Sequence, residues 1–396
     1  MHTKRKSAQK TGYLRLPALI LSLLVGASLL AGRVSGAALF SAGLLMPQSA
    51  VLALREGDIL PELQTTDGGT TLADVQETRG NAASQQETAQ TSSAPSGETT
   101  QRTASTKADD AKIPADIRAL ITQAQAVSKG QKQLGKILEK DYARAGVTHS
   151  FQNVRLKSVS QTQSPNIEKL LTQKPEFAVH DKKKPAVLIF HTHTTESYQQ
   201  LARGYYTSAD ATRSDKAGEN MLRVGEELAK ALEQAGWQVV HDTTVHDRSY
   251  TGAYDRSRET VKKQLAAHPE IQVVLDVHRD AMHQSNGSKI KPTATINGKK
   301  AAQIMLITGV QEGAVKNFPD WEKNLRFALQ FQRAMESAAP GLTRPILFSP
   351  RLYTMNLHPN NVLVEVGSDV NTLDEAVYAA RLAGMALAEL LAQYEK

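Results

Sequence analysis

Three short apolar runs mark the second half of the chain: Val187-Leu188-Ile189-Phe190, Ile271 to Leu275, and Val362-Leu363-Val364. Runs of this kind, without alternation, read as strands buried on both faces. Between them the period changes. Asn220 to Gln234 repeats apolar residues at helical spacing, with Met221, Val224, Leu228, Ala231 and Leu232 on one face and Gly236 at the C′ position. Trp237 to Val240 then reads as a strand, Arg256 to Ala267 as a short helix, and the strand that begins at Ile271 ends at His278. Pro292 to Gly309 alternates and carries Asn297-Gly298, a hairpin signal leading into Ala302 to Thr308. Trp321 to Ala338 is helical, Val362 to Val366 is a strand, and Asn371-Thr372-Leu373-Asp374 opens a long last helix ending near Tyr394. Strands alternating with helices predict an α/β domain over 182–396, built on a mainly parallel (mixed-edge) sheet with helices on both faces.

The first half reads differently. From Pro114 to about Ala145 a helical pattern of Ile117, Leu120, Ile121, Leu134 and Leu138 predicts a small helical preface over 113–181. Residues 56–112 are dominated by Ser, Thr, Gln, Gly and Ala, with too few large apolar side chains to offset the entropy of ordering. They read as a disordered tether. At the N-terminus, Lys4, Arg5, Lys6, Lys10 and Arg15 precede an apolar stretch from about Leu16 to Gly32, which resumes after Arg33 and runs to Met46. Positive charge ahead of an apolar stretch holds the N-terminus in the cytoplasm. Residues 1–55 therefore read as a tail and a single-pass membrane anchor with the remainder extracytoplasmic, or as a signal peptide cleaved near Ser35-Gly36-Ala37. The apolar residues beyond Arg33 favour the anchor.

Composition narrows the chemistry. The chain has no cysteine, so an exported domain has no disulfide, and thiolate catalysis and a Cys-ligated zinc are excluded. The net charge of +7 comes partly from the N-terminal tail, and Lys182-Lys183-Lys184 alone reads as a solvated loop, so no nucleic-acid partner is implied.

Each apolar run ends in polar residues, where open α/β sheets place their chemistry. After the first comes His191-Thr192-His193-Thr194-Thr195-Glu196, at the end of the second Asp276-Val277-His278-Arg279-Asp280, and after the third Glu365-Val366-Gly367. His193-x-x-Glu196 places an imidazole and a carboxylate on one turn, and His278 supplies a third donor. Two histidines, a glutamate and an open position for water describe a catalytic zinc site. Such a site needs a general base, and Glu365 is the candidate. Each piece also has a bland reading. His191 and His193 could be strand-end histidines satisfied by the backbone, Glu196 a helix-start carboxylate, and the Asp276 to Asp280 segment a buried ion-pair network. Glu365 is hardest to set aside, since a carboxylate within Val-Leu-Val-Glu-Val-Gly is costly to bury without a partner.

At these residues the sequence resembles the stage II sporulation protein P family. The likeness rests on His191-Thr-His-Thr-Thr-Glu-Ser-Tyr198, Asp276-Val-His-Arg-Asp280, and Val364-Glu-Val-Gly367 with Asn371-Thr372, and covers roughly Pro185 to the C-terminus. The resemblance implies a membrane-anchored peptidoglycan hydrolase related to zinc-dependent N-acetylmuramoyl-L-alanine amidases, with a zinc amidase or carboxypeptidase-like fold. It implies cleavage of the amide between N-acetylmuramic acid and L-alanine, with possible endopeptidase action on cross-links, during engulfment and beside a lytic transglycosylase. In the broader amidase group the glutamate ligand comes from the first helix, which here points to Glu219. The order His-x-x-Glu, His, late Glu also resembles zinc carboxypeptidases, which supports His193 and Glu196. The metal set expected is His193, Glu196 and His278, with His191 the nearest competitor and Glu219 next. Arg279 is expected to hold Asp280 or bind substrate, and Tyr353 and Asn356 to line the cleft. Two rivals stand beside this reading. One is a zinc carboxypeptidase trimming stem peptides, which needs a basic clamp such as Arg279. The other is an inactive wall-binding scaffold.

Overall fold

A computed structural model describes residues 112–176 and 181–395 of the 396. The anchor expected within residues 1–55 and nearly all of the tether expected over 56–112 lie outside the described residues. Among the described residues, no helix is long and apolar enough to cross a membrane.

The elements, in chain order, are α1 (Ala115–Val127), β1 (Gln133–Lys140), β2 (His149–Phe151), β3 (Val154–Ser158), α2 (Ile167–Thr172), β4 (Pro185–Phe190), β5 (Tyr205–Thr207) and α3 (Met221–Gln234). There follow β6 (Gln238–His241), α4 (Ala253–Ala267), β7 (Val273–Asp280), β8 (Lys289–Ile296), β9 (Lys299–Ala302) and β10 (Ile304–Gly309). The last are α5 (Trp321–Ala338), β11 (Ile346–Ser349), a 3-10 turn (Met355–Leu357), β12 (Asn361–Ser368) and α6 (Leu373–Ala392).

The main sheet has eight strands in the order β2-β3-β11-β10-β12-β7-β4-β6. Strands β6, β4, β7 and β12 form one parallel block, and β10, β11 and β3 form another. The two blocks meet antiparallel at β10 and β12, in the middle of the sheet, and β2 turns back on β3 at one edge. The sheet is therefore mixed, not mainly parallel with a mixed edge. The reversal comes at a short connection: β10 follows the β8–β9 hairpin directly and enters the sheet against β12, while β11 and β3 run in its own direction. That hairpin turns at Asn297-Gly298, with φ of 50° and 78°, the left-handed pair that a two-residue turn requires. Together with β5 and β1 it makes a second sheet of order β5-β1-β8-β9.

Alternation along β4 sorts its side chains onto two faces. Val187 and Ile189 join Val273, Leu275 and Val277 of β7 in the large core beneath α3, α5 and α6, while Leu188 and Phe190 pack with Val261 of α4 on the other side. Helix α3 begins where the Asn220 side chain accepts from Leu222 N at 3.0 Å. Helix α6 begins with a reciprocal cap, Thr372 Oγ1 accepting from Glu375 N (3.2 Å) and Glu375 Oε2 from Thr372 N (3.0 Å).

The expected helical preface is helical only over α1 and α2. Leu134 and Leu138 lie on a strand, β1, whose neighbours are β5 and β8. Strand β3 extends the main sheet, and Ile117 of α1 is buried in the main core. The segment is thus built into the same body as the residues after 181.

Candidate active site

The polar ends of β4, β7 and β12 meet at the face of the sheet that carries α4. Parallel register sets His278 of β7 beside Glu365 of β12, and Asp276 beside Phe190 of β4. Gly367 fixes where this arrangement stops. Its φ is 67°, and a Cβ there would stand 2.5 Å from Asn371 Oδ1 and 2.8 Å from Ala302 Cβ. The ladder with β7 shifts register between Glu365 and Ser368, so the strand bends just past the glutamate.

His278 is buried between two carboxylates. Its Nε2 lies 2.7 Å from Asp276 Oδ1 and its Nδ1 3.7 Å from Glu196 Oε2. The first contact is close but poorly aligned for a hydrogen bond, and acts as a charge contact. Burial alone would lower the basicity of His278, but Asp276, Glu196 and Glu365 outweigh it and push the imidazole up to about 9. Asp276 is held in place by Thr192, whose N–H reaches Oδ1 at 2.9 Å and whose hydroxyl reaches Oδ2 at 2.7 Å. Burial opposes ionisation of Asp276, yet His278 and these bonds keep its carboxyl below the usual range.

His193 stands at right angles to His278, ring centroids 5.3 Å apart, and its buried Nδ1 has no hydrogen-bond partner. Burial first and the His278 charge second bring its pKa down to about 3, so the ring is neutral, the form that binds metals. Glu196 lies one turn on, its N–H closing on His193 O at 3.2 Å and its Oε2 accepting from Arg279 N at 3.2 Å. Glu365 is half-buried overall, with Oε2 sealed from solvent and without a partner. Burial, and then repulsion from Asp280, raise its carboxyl to about 8. A cation at this spot would oppose both effects.

The other candidates have different surroundings. His191 is buried with both nitrogens engaged, Nδ1 with Val277 O at 2.8 Å and Nε2 with His241 Nε2 at 2.9 Å. It therefore props the backbone of β7 next to His278, and a metal would have to displace one of these bonds. Glu219 binds Lys216 Nζ at 2.9 Å and Ser214 Oγ at 3.0 Å. Arg279 spends its guanidinium on carbonyls, those of Ser197 (3.1 Å), Thr212 (2.7 Å) and Asp280 (3.3 Å). The Asp280 carboxylate is held by Arg344 at 2.8 Å instead. Tyr353, with φ of 46°, stacks on Tyr254 at 5.0 Å, and Tyr254 in turn lies 6.4 Å from the His278 ring, nearly parallel to it. Asn356, on the 3-10 turn, has a buried Oδ1 without a partner.

Three residues of this site were not singled out from the sequence. Tyr250 stacks on His193 at 4.7 Å and 4°, Tyr254 meets its edge at 5.5 Å, and Arg213 covers Tyr250. The available signal was two tyrosines, Tyr250 and Tyr254, on either side of Gly252 where α4 begins.

Whether a zinc ion fits can be judged from these atoms. Two imidazoles and one carboxylate are the donors of a catalytic zinc. His193 Nδ1 is open to take a metal, and Asp276 lies against the His278 nitrogen away from Glu196, where a supporting carboxylate stands behind a metal-binding histidine. Against this, among the described residues no three His, Cys, Asp or Glu side chains stand in a preformed metal-holding group. The donor set fits zinc in kind, and holding one ion requires its members to draw together.

Residues 64–392 match the model of the family "Stage II sporulation protein P". The protein of that name from Bacillus subtilis (strain 168) is 34% identical over 248 residues, which make up 60% of this chain and 57% of that protein. The match thus spans little more than half of the relative's length. Among solved structures, N-acetylmuramoyl-L-alanine amidase AmiC2 of Nostoc punctiforme is 13% identical, covering 53% of this chain and 96% of that one at a TM-score of 0.30. An N-acetylmuramoyl-L-alanine amidase from Clostridium difficile 630 is 16% identical, covering 52% and 96% at 0.32. These structural likenesses are weak. The family match extends over most of the chain and includes all three strand-end motifs, and the chain belongs to the stage II sporulation protein P family.

Proposed function

We propose that this protein is a zinc-dependent N-acetylmuramoyl-L-alanine amidase of the cell wall. In this reading it acts from an N-terminal membrane anchor, outside the cytoplasm, during the engulfment stage of sporulation and beside a lytic transglycosylase. The observation that carries the catalytic part is the meeting of His193, Glu196, His278 and Glu365 at one mouth of the sheet, with unpartnered buried atoms on His193 and Glu365. Two imidazoles and two carboxylates converging at strand ends, with a buried acceptor on Glu365 and a buried ring nitrogen on His193 left open, are the groups a metal and a general base require.

His193, Glu196 and His278 would hold the zinc, which when bound supplies Lewis acidity at the scissile carbonyl and acidifies water. The remaining work falls to the chain. Asp276, itself fixed by Thr192, orients His278. Glu365 takes one proton from the attacking water as the C–O bond forms. It returns that proton to the L-alanine nitrogen as the C–N bond breaks. Tyr250, Tyr254 and Tyr353 wall the cleft and exclude bulk water.

The carboxypeptidase reading loses its expected clamp, because the Arg279 guanidinium is spent on three carbonyls. Digestion of purified wall followed by mass spectrometry separates the readings. New free L-alanine amino groups on peptides released from intact glycan support the amidase. Stem peptides shortened from the C-terminus support the carboxypeptidase, and an unchanged wall supports the scaffold.

A further inference from the structure

Arg213 faces the proposed ligand Glu196 across the cleft mouth. Ser197 N donates to Thr212 O at 3.1 Å, Ser214 N donates to Thr195 O at 2.8 Å, and Glu196 and Arg213 form an isolated antiparallel bridge between these contacts. One guanidinium nitrogen, Nη1, is engaged by Thr195 Oγ1 at 2.9 Å and by Asp247 Oδ2. The guanidinium carbon lies 5.4 Å from the centre of the Tyr250 ring, and Tyr250 stacks on His193. Arginine, tyrosine and histidine therefore form a continuous stack from the rim to the site.

The two halves of the ion pair differ in exposure. The Asp247 side chain is fully enclosed, while that of Arg213 is 38% exposed. Asp247 also receives the Thr195 N–H at 3.1 Å and hydroxyl at 2.7 Å, so it does not need the whole guanidinium. Among the described residues, Nε and Nη2 of Arg213 have no acceptor. Five donors in a planar fork suit bidentate capture of a carboxylate, and here one edge is fixed by the protein while the other is presented to solvent.

We infer that Arg213, seated on Tyr250, forms a carboxylate-binding subsite at the rim of the cleft, which engages an acidic group of the wall peptide. The inference rests on the wall-amidase reading. Through the stack, the guanidinium is at most about 10 Å from the His193 ring, the span of about three extended residues. The carboxylate it takes therefore belongs to the second or third residue of the peptide, counted from the scissile amide. A clamp built this way sets peptide preference and leaves the chemistry to the residues around His278.

The test uses muramyl peptides in matched pairs that differ only in whether one acidic group, at the second or third residue, is free or a carboxamide. For the unmodified protein KM is expected to be about tenfold lower for the free acid of one pair, the worth of one charge-assisted contact. In Arg213→Gln and Arg213→Lys that KM ratio should fall to about one. The lysine variant keeps a cation for Asp247, so it guards against a fold that fails without one, yet it has no second edge to offer. A ratio that survives in Arg213→Lys, or no ratio for either position in the unmodified protein, overturns the inference. If the unmodified protein does not cut the muramoyl amide, the amidase reading fails. Calorimetric affinities of the same peptide pairs for the same proteins then decide the subsite by the same ratio.

Discussion

Glu365 and His278 are register partners in the parallel ladder of β12 and β7, so their side chains stand together on one face of the sheet. Glu365 Oε2 is enclosed and unpaired, and the charges that act on it most strongly are those of Asp280, His278 and Glu196. A carboxylate kept in such surroundings costs stability, which a purely structural role would not justify.

Glu365→Gln keeps the shape of the side chain and removes its ability to take a proton. The variant should fold, melt no lower than the unmodified protein, and release wall peptides at least about a hundredfold more slowly. Melting temperature and release rate measured on one preparation check this, and full activity would rule Glu365 out as the base.

Asp276→Asn tests the support behind His278. With the Thr192 bonds still available to the amide, the fold should persist, while zinc affinity falls about 10- to 100-fold, the usual cost of losing a partner behind a metal-binding histidine. Competition against a chelator of known affinity measures it. An unchanged affinity would place the metal elsewhere.

His358 gives the pH dependence of stability a separate handle. Its Nδ1 accepts from Asn360 N at 3.1 Å, and burial lowers its pKa from 6.5 to about 4 despite an opposing bond to the Ile271 carbonyl. Because the folded pKa is depressed, the unfolded chain takes up the proton first. The stabilisation is complete above about 6.5 and is lost as pH falls toward about 4, at up to about 1.4 kcal/mol per unit. Urea unfolding across this window should give a shallower pH slope for His358→Gln than for the unmodified protein. Equal slopes would contradict the assignment.

Gly225 of α3 lies against the imidazole pair behind the site. A Cβ there would fall 2.5 Å from His191 Nε2 and 2.6 Å from His241 Nε2. Gly225→Ala should therefore cost about 1 to 3 kcal/mol despite the better helix propensity of alanine. Equilibrium denaturation reads the sign directly, and a stabilised variant would show that the pair is free to move.

Much of this was legible from local pattern. Asn297-Gly298 fixed a hairpin because only a left-handed pair closes a two-residue turn, and Thr372 with Glu375 marked a helix start through its reciprocal bonds. The ends of β4, β7 and β12 were legible because uninterrupted apolar runs have few other uses. Pairing across distance was not. Leu134 and Leu138 are four residues apart, as on a helix, but β1 uses them in an exposed strand held by β5 and β8. The antiparallel entry of β10 depends on strands far along the chain. His191 and His193 have the same local sequence environment, and what separates them is which face each reaches: His241 and Val277 on one side, Tyr250 and His278 on the other.

We propose that His193, Glu196 and His278 hold a zinc ion used in amide hydrolysis. Elemental analysis of the purified protein beside His193→Ala, His278→Ala and Glu365→Gln, with wall-release rate taken on the same preparations, tests it most directly. One zinc is expected in the unmodified protein and in Glu365→Gln, little in either histidine variant, and activity only in the unmodified protein. Zinc retained in both histidine variants, or undiminished release of wall peptides after complete removal of metal, would contradict it.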